Sequence, residues 1–417
     1  MAAARDHFPA LRREESGRQV AFLDGPAGTQ LPIECIEAMV AYMRTSHANT
    51  GGAFGTSAET DRVLSDAHAA TADFLRAHDP AEIAFGANMT TLTFAFTRGL
   101  GRDFRPGDEI VLSRMDHDAN LAPWLTVARE RGLVVRWIEV RPDDATLDLD
   151  SLELALGPRT RIVAVSLASN AVGSLTDMGR VVEMAHASGA LLFVDAVHAA
   201  AHVPIDVSAM RTDFLVCSPY KFYGPHLGVL YGRRELLERI DTDRVRPAGD
   251  ALPARLETGT LSHEALAGLL GTYAYLSSLG RVSDRSAANG DRRESLRAAM
   301  MAIRAYEREL TAPLLSGLAS VPGIRVLGIS DPARAAERVP TVAFTVADFH
   351  PRRVAESLAA RAINVWDGTM YAPELMRALG VDASSGGVVR AGLVHYNTTD
   401  EIDRLVTALT EIVAAGS

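Results

Sequence analysis

Asp213-Phe214-Leu215-Val216-Cys217-Ser218-Pro219-Tyr220-Lys221-Phe222-Tyr223-Gly224-Pro225 is the stretch on which the interpretation of this chain depends. Its apolar half predicts a short buried strand that Pro219 ends, and one lysine follows between aromatic residues. Lysine is seldom fully buried, so its place at the end of a core strand needs a reason. Lys221 could extend its charged end to water. Alternatively, a desolvated lysine loses its proton more readily and becomes a nucleophile towards carbonyl groups.

A second apolar run lies upstream and ends in a carboxylate. Leu191-Leu192-Phe193-Val194 is followed by Asp195 and, three residues later, by His198. A strand that ends in Asp, followed by a strand that ends in Ser-x-x-Lys, is the pattern of enzymes that use pyridoxal phosphate (PLP). In such enzymes the lysine forms a Schiff base with the cofactor and the aspartate pairs with the pyridinium nitrogen. The two runs together favour a PLP enzyme.

With these motifs the chain resembles the class V aminotransferase and cysteine desulfurase family of fold-type I PLP enzymes. The resemblance extends from about Phe22 to about Asn397. It implies an α/β fold with a large domain, whose mainly parallel sheet is covered by helices, and a smaller α+β C-terminal domain. We place the large PLP-binding domain at residues 20–290. The small domain would comprise residues 291–417 together with the N-terminal segment 1–19. Within it we predict strands near Ile324–Leu327, Thr341–Val346, Ile363–Trp366 and Val388–Val394.

Composition excludes several other classes of protein. The chain has 417 residues, of which 47% are hydrophobic, and this is ample for a large core. A net charge of −10 makes nucleic acid an unexpected partner. Neither a secretory signal nor a run long enough to span a membrane is visible, so we predict a cytoplasmic protein without a membrane partner. The two cysteines, Cys35 and Cys217, are far apart and predict neither a disulfide framework nor a metal site.

A turn that follows the predicted strand Ala81–Phe85 is a candidate anion site. It reads Gly86-Ala87-Asn88-Met89-Thr90-Thr91 and leads into a helix. The free backbone N–H groups and the dipole of a helix N-terminus both favour a bound anion. By the resemblance, Met89 and Thr90 hold the PLP phosphate. Thr90 could otherwise be an ordinary helix cap.

Further cofactor contacts are implied by the resemblance at the ends of other strands. His117, after the predicted strand Glu109–Ser113, takes the place of a histidine that stacks on the pyridine ring, and we count it as catalytic with Lys221 and Asp195. Asn170 and His198 fall beside the phenolic oxygen, although an Asn at this point could be a simple turn residue. Ligands of parallel sheets bind at the carboxyl ends of the strands. The residues expected to meet there are Asn170, Asp195, His198 and Ser218.

The resemblance also implies a second subunit. Gly259-Thr260 is similar to a Gly-Thr pair that reaches the phosphate of the neighbouring subunit, which predicts a homodimer with shared active sites. On the substrate side, Arg390 would bind the α-carboxylate through its planar guanidinium. The segment around Asn49 lacks the His-x-x-Arg-Gly pattern of the family, which leaves the substrate side chain undefined. The substrate contacts that we predict are Ala27, Gly28, Asn49, Tyr371 and Arg390.

One stretch departs from cysteine desulfurases. In Ile363-Asn364-Val365-Trp366-Asp367-Gly368-Thr369-Met370-Tyr371, Tyr371 stands in the place of the nucleophilic cysteine. Persulfide chemistry needs a thiolate. Cys217 ends a core strand and Cys35 shares a helix face with Met39, so we interpret both as core residues. We therefore expect that the chain is not a cysteine desulfurase in the strict sense.

The function that we predict is C–S β-elimination, as in cysteine or cystine lyases, without a persulfide step. The amino-acid substrate would bind as an external aldimine, from which Lys221 removes the Cα proton. The alternative is an aminotransferase or an epimerase that acts on a specialised amino-acid metabolite. A more remote alternative is a PLP-binding scaffold without turnover. Tyr371 would either donate a proton to the leaving group or form a wall of the pocket.

Overall fold

Fifteen strands and twelve helices make up the described part of the chain, residues 1–284, 290–381 and 383–416 of a computed structural model. In chain order the strands are β1 (Glu14–Glu15), β2 (Arg18–Gln19), β3 (Ala21–Phe22), β4 (Ile83–Gly86), β5 (Glu109–Ser113), β6 (Val134–Ile138), β7 (Thr160–Ser166), β8 (Leu191–Asp195), β9 (Phe214–Cys217), β10 (Gly228–Gly232), β11 (Ile324–Leu327), β12 (Thr341–Val346), β13 (Ile363–Asn364), β14 (Trp366–Gly368) and β15 (Val388–Gly392). The helices are α1 (Ile33–Thr45), α2 (Gly55–Leu75), α3 (Met89–Leu100), α4 (Ala122–Arg131), α5 (Leu149–Ala155), α6 (Met178–Ala187), α7 (Arg234–Leu237), α8 (His263–Ser283), α9 (Arg292–Ser320), α10 (Pro351–Ala359), α11 (Pro373–Ala378) and α12 (Thr399–Gly416). None of the helices in these ranges is long and apolar enough to cross a membrane.

The larger sheet has seven strands in the order β4-β10-β9-β8-β7-β5-β6. Strand β10 is antiparallel to both of its neighbours, and the other pairings are parallel. Both faces of this sheet are covered, as expected of parallel strands that are rich in Val, Ile and Leu. In β8, for example, Leu192 and Val194 belong to one core cluster, whereas Phe193 between them belongs to another. Successive side chains of a strand point to opposite faces, so one apolar run supplies both cores.

Strands β5, β7, β8 and β9 run in the same direction, so their carboxyl ends lie along one edge of the sheet. Helix α3, which follows β4, begins at the same edge because β4 is antiparallel to β10, the one strand that runs against the rest. The loops that carry the predicted cofactor contacts therefore open together, as the rule for parallel sheets requires.

A second sheet, antiparallel throughout, has the order β11-β12-β15-β14. It packs with α9, α10 and α12 around a separate core that includes Leu314, Phe344, Leu358 and Leu405. The short parallel pair β3–β13 belongs to this core through Ala21 and Ile363. A sheet with one face packed against helices is the expected form of an α+β unit.

The predicted fold class, a large α/β sheet unit with a smaller α+β unit, is confirmed by these topologies. The limits of the two domains stay a prediction. The N-terminal segment 1–19, which we grouped with the small domain, places Phe8 and Leu11 in the core of the larger sheet. The first residues along the chain that belong to the core of the smaller sheet are Ala21 and Leu23.

Two local predictions were wrong or incomplete. The predicted strand Ile363–Trp366 is two short strands, because the chain leaves β3 after Asn364 and joins β15 at Trp366. Helix α8 was not predicted at all. Its buried residues occur on most of its circumference, so it lacks the polar face that gives a recognisable helical period.

Gly228, at the start of β10, lets this strand touch the turn before α3. A Cβ atom on Gly228 would lie 2.3 Å from the carbonyl carbon of Asn88 and 2.6 Å from the nitrogen of Met89. Real Cβ atoms do not approach backbone so closely, so the turn would have to move.

We expect Gly228→Ala to lower the free energy of unfolding by about 1–3 kcal/mol, the usual cost of overpacking a tight site. Gly249→Ala is the matched control, because a Cβ on Gly249 would meet nothing within 4 Å. Urea denaturation of the two variants measures the difference. Equal stabilities would show that the turn before α3 yields without cost.

Candidate active site

A cavity of about 560 Å³ lies at the carboxyl edge of the larger sheet and reaches the smaller sheet. The ends of β7, β8 and β9 contribute Ser166, Asp195 and Ser218. Residues of β14 and β15, among them Trp366 and Arg390, form the opposite wall. A pocket of this size suits a small organic ligand.

Lys221 projects into this cavity from a short 3₁₀ turn that Pro219 begins. Its Nζ donates a 2.5 Å hydrogen bond to the carbonyl oxygen of Pro26 and lies 4.9 Å from the centre of the Tyr220 ring. Burial lowers the pKa of Lys221 to about 7; the positive charge of Arg390 acts in the same direction, and Asp195 opposes both. An amine of this kind is a base and a nucleophile near neutral pH.

A simple count strengthens this assignment. Lys221 is the only lysine among the 417 residues of the sequence. All the other residues counted as Lys or Arg are arginines. The motif pattern alone did not use this fact. Any chemistry that requires a lysine side chain must therefore take place at Lys221.

Asp195 is the last residue of β8 and is aligned with Ser166 on β7. Its Oδ1 accepts a 2.8 Å hydrogen bond from the backbone N–H of Val197. Burial raises the pKa of Asp195 to about 6, against the effects of that hydrogen bond and of the Lys221 charge. A cationic ring nitrogen placed beside this carboxyl group would favour its ionised form.

The predicted phosphate turn has the geometry of an anion site. Asn88 caps α3, and its Oδ1 accepts a 2.9 Å hydrogen bond from the N–H of Thr91. The N–H groups of Met89 and Thr90 belong to the first helical turn and make no hydrogen bond to the residues described here. Both residues line the cavity, so these donors can meet a phosphate there.

His117 lines the same cavity as a neutral ring. Its Nδ1 accepts a 2.9 Å hydrogen bond from the N–H of Ala119, which assigns the ring proton to Nε2. Burial, together with the charges of Lys221 and Arg390, lowers the pKa of His117 to about 4. A flat uncharged imidazole is suited to stack on a flat heterocycle.

Arg390 is a buried guanidinium on β15, opposite Trp366 on β14. Its Nη1 donates a 2.7 Å hydrogen bond to the carbonyl oxygen of Asn170, whereas its Nε has no partner among the described residues. Burial lowers the pKa of Arg390 to about 10, and the nearby Asp24 opposes that change. Asp24 is itself held at a pKa of about 6, because burial outweighs the Arg390 charge. An arginine with an unused donor suits a substrate carboxylate.

Three further predicted cofactor contacts, Asn170, His198 and Ser218, also border the cavity. Asn170 donates through Nδ2 to the carbonyl oxygen of Met370, at 2.8 Å. The Nε2 atom of His198 lies 2.9 Å from Oγ1 of Thr341 on β12, so this histidine joins the two sheets. Ser218 is buried at the end of β9.

Most predicted site residues meet in this one cavity, and their individual roles stay predictions. The residues brought together are Ala27, Met89, Thr90, His117, Asn170, Asp195, His198, Ser218, Lys221, Tyr371 and Arg390. Gly28 lies just beyond its lining, where a Cβ would be 3.4 Å from the Tyr220 ring. Asn49, Gly259 and Thr260 are exposed and do not line this cavity.

Several contributors were missed from the sequence. Asp24 and Pro26 lie in a loop that the sequence suggests is an ordinary turn. The acidic Asp24 before a Gly-Pro pair is the one feature of this loop that could have indicated a functional site. Tyr220 and Trp366 gave none, because an aromatic residue beside a strand is usually a core residue. The cavity lining adds Pro26, Asn88, Ser166, Tyr220, Trp366 and Asp367 to the predicted set.

The arrangement fits PLP in each of its parts. The free N–H donors at the start of α3 could bind the phosphate, and the amine of Lys221 could bind the aldehyde carbon. The carboxyl group of Asp195 could pair with the ring nitrogen, and the imidazole of His117 could stack on the face of the ring. The buried Nε of Arg390 remains for the substrate.

The chain belongs to the class V aminotransferase family, whose model matches residues 21–405. It is 32% identical to a cysteine desulfurase of Dickeya dadantii (strain 3937), over 98% of this chain and 95% of the relative. It is 30% identical to a probable cysteine desulfurase of Streptomyces coelicolor, over 98% of this chain and 96% of the relative. The family is PLP-dependent, so PLP is the cofactor and an amino acid is the substrate.

Solved structures give the same result. The apo cysteine desulfurase of Thermococcus onnurineus NA1 superposes with a TM-score of 0.86 at 26% identity, covering 99% of this chain and 98% of that chain. The cysteine desulfurase CsdA of Escherichia coli gives 0.82 at 27% identity, over 99% and 98%. The fold is therefore that of fold-type I PLP enzymes.

We expect the protein to turn yellow when it takes up PLP and to lose the visible band in Lys221→Ala. Borohydride reduction should then leave a pyridoxyl group on the single peptide that contains Lys221, as mass spectrometry can verify. Because the Lys221 amine is uncharged above its pKa of about 7, capture of PLP by the apo protein should accelerate up to that pH and then level off. A colourless wild-type protein, or capture that begins only above pH 9 to 10, where an ordinary lysine loses its proton, would contradict the assignment.

Proposed function

We propose that this protein is a PLP-dependent C–S lyase that carries out β-elimination on a cysteine-type amino acid without a persulfide step. The proposal is supported by Tyr371, which by the resemblance drawn from the sequence stands in the place of the desulfurase nucleophile. A phenol cannot accept sulfur from cysteine to form a persulfide. The relatives are named cysteine desulfurases. The reaction that we propose for this chain differs from desulfuration because it has no persulfide step.

The two thiols of the chain support the proposal. Cys217 is fully buried at the end of β9, and burial together with the nearby Asp195 raises the pKa of its thiol. Cys35 is fully buried in α1, and burial raises its pKa as well. The nucleophile in persulfide formation is the thiolate. Neither cysteine is exposed or ionised enough to take that role.

PLP, when bound, supplies an electron sink for the electrons of a broken bond at Cα. The chain supplies the proton transfers and the orientation. Arg390 holds the substrate carboxylate, which fixes Cα near Lys221. Lys221 Nζ takes the Cα proton, the electrons of that bond form a Cα–Cβ double bond, and the Cβ–S bond breaks. Sulfur leaves as a thiolate that takes up a proton.

Transamination and epimerisation begin with the same loss of the Cα proton, so the products distinguish them. Elimination yields pyruvate, ammonia and a thiol or sulfide. Transamination yields a keto acid with conversion of the cofactor to its amine form, and epimerisation yields the opposite enantiomer. A scaffold without turnover yields none of these. A cytoplasmic location, predicted from the sequence, is part of the same proposal.

We expect the purified holoenzyme to form pyruvate and a thiol in equal amounts from an S-substituted cysteine, and pyruvate and thiocysteine in equal amounts from cystine. Lys221→Ala is the control and should form neither. Cys217→Ala should keep the wild-type rate, because the proposal gives this buried thiol no part in the chemistry. Persulfide that accumulates on wild-type protein and disappears in Cys217→Ala would overturn the proposal, as would keto acid formation without loss of sulfur.

A homodimer with shared active sites is the second part of the proposal. Thr260 and its neighbour Gly259 are exposed and do not line the cavity of their own subunit, which is compatible with a contact to a partner. Thr260→Ala should weaken PLP retention by about 10- to 100-fold, as expected when one hydrogen bond to a charged group is lost. Thr258→Ala is the matched control, since Thr258 is also exposed. Light scattering that shows a fully active monomer would contradict the shared site.

A further inference from the structure

The loop of residues 368–371 carries two exposed residues, Thr369 and Tyr371, yet is held by several contacts to the site. Tyr371 has 75% of its surface exposed, yet its ring stacks on the ring of His117, with centroids 5.5 Å apart and planes inclined by 19°. This is the geometry of a favourable aromatic pair. One face of His117 is therefore covered by Tyr371 of the same subunit.

The main chain of the loop is bound to both neighbouring site loops. The carbonyl oxygen of Tyr371 accepts a 2.7 Å hydrogen bond from the N–H of Asp118, the residue that follows His117. The carbonyl oxygen of Met370 accepts the 2.8 Å hydrogen bond from Asn170. Two consecutive carbonyl groups thus hold the loop against the residues that we assign to the cofactor ring.

The backbone conformation shows that these contacts outweigh a local cost. Met370 and Tyr371 have φ values of +56° and +53°, in the left-handed region that residues other than glycine avoid. Neither residue has the short polar side chain that makes this conformation tolerable. Strained residues of this kind persist where the surroundings fix them, and they concentrate at functional sites.

We propose that Tyr371 is a positioning residue, whose ring holds the His117 imidazole flat and shields its outer face from solvent. His117 has one hydrogen-bonded anchor of its own, from Ala119 N–H to Nδ1, and a ring fixed at one atom can still tilt. Packing against Tyr371 removes that freedom. The hydroxyl group has no part in this role, which differs from proton donation and from forming a substrate pocket wall. The inference depends on the proposed function in one respect, namely that His117 contacts the cofactor.

The first experiment uses the apo protein and therefore does not depend on the cofactor or on activity. Diethyl pyrocarbonate acylates accessible uncharged imidazoles, and peptide mass spectrometry locates the product. His117 should react about three- to tenfold faster in Tyr371→Ala than in wild type, in line with the coupling of an aromatic pair. Tyr371→Phe should react at the wild-type rate. Leu154→Ala, which truncates a side chain that is 89% exposed and outside the site, is the control and should also match wild type.

The second experiment is a double-mutant cycle on PLP affinity with Tyr371→Ala, His117→Ala and the double variant. Both single variants should weaken binding, and the double variant should bind about as weakly as His117→Ala alone, because Tyr371 acts through His117. Additive losses would overturn the proposal. So would unchanged reactivity of His117 in Tyr371→Ala, or a kcat that falls by about 10²-fold or more in Tyr371→Phe, the mark of a proton donor. A wild-type protein that takes up no PLP refutes the proposed function, and the acylation result then still decides the Tyr371–His117 contact.

Discussion

The desolvation of one amine is the constraint on which the rest of this structure depends. Lys221 is removed from water at the end of β9, and its charged form is disfavoured by burial and by Arg390. A charge of this kind is costly unless it is paired or neutralised. The carbonyl of Pro26, the Tyr220 ring and the Asp195 carboxylate give it partners without restoring its ordinary pKa. The result is a lysine that is available as a nucleophile, in a chain that contains no second one.

The site exists because two sheets with different architectures meet around that amine. The larger sheet brings Asp195 and Lys221 to the ends of neighbouring parallel strands. The smaller sheet brings Arg390, which donates a hydrogen bond to the carbonyl oxygen of Asn170 and whose charge acts on the carboxyl group of Asp24. The charge of Arg390 lowers the pKa of Lys221 and the charge of Asp195 raises it, so the positions of β8, β15 and the turn after β9 are coupled through the cavity. His198, bonded to Thr341, links the same two sheets a second time.

The family relationship and the proposed departure at Tyr371 are compatible on physical grounds. The fold and the family match define a PLP enzyme, whatever side chain stands on the 368–371 loop. That loop is held by backbone carbonyls, which any residue could provide, together with one ring contact that a cysteine could not. A change of side chain at position 371 can thus alter the chemistry and leave the frame of the site in place.

The sequence by itself determined the parts of this protein that depend on local patterns. The strands Glu109–Ser113, Ile324–Leu327 and Thr341–Val346 were predicted at their observed limits, because apolar runs bounded by polar turns carry that information locally. The predicted roles of Lys221, Asp195 and the turn before α3 came from strand ends in the same way, together with the family resemblance. Tertiary structure alone decided the contact of Tyr371 with His117, the place of Asp24 beside Arg390 and the split of Ile363–Trp366 between two sheets. These features join residues far apart in the chain, and no pattern within one segment records which distant segment it will meet.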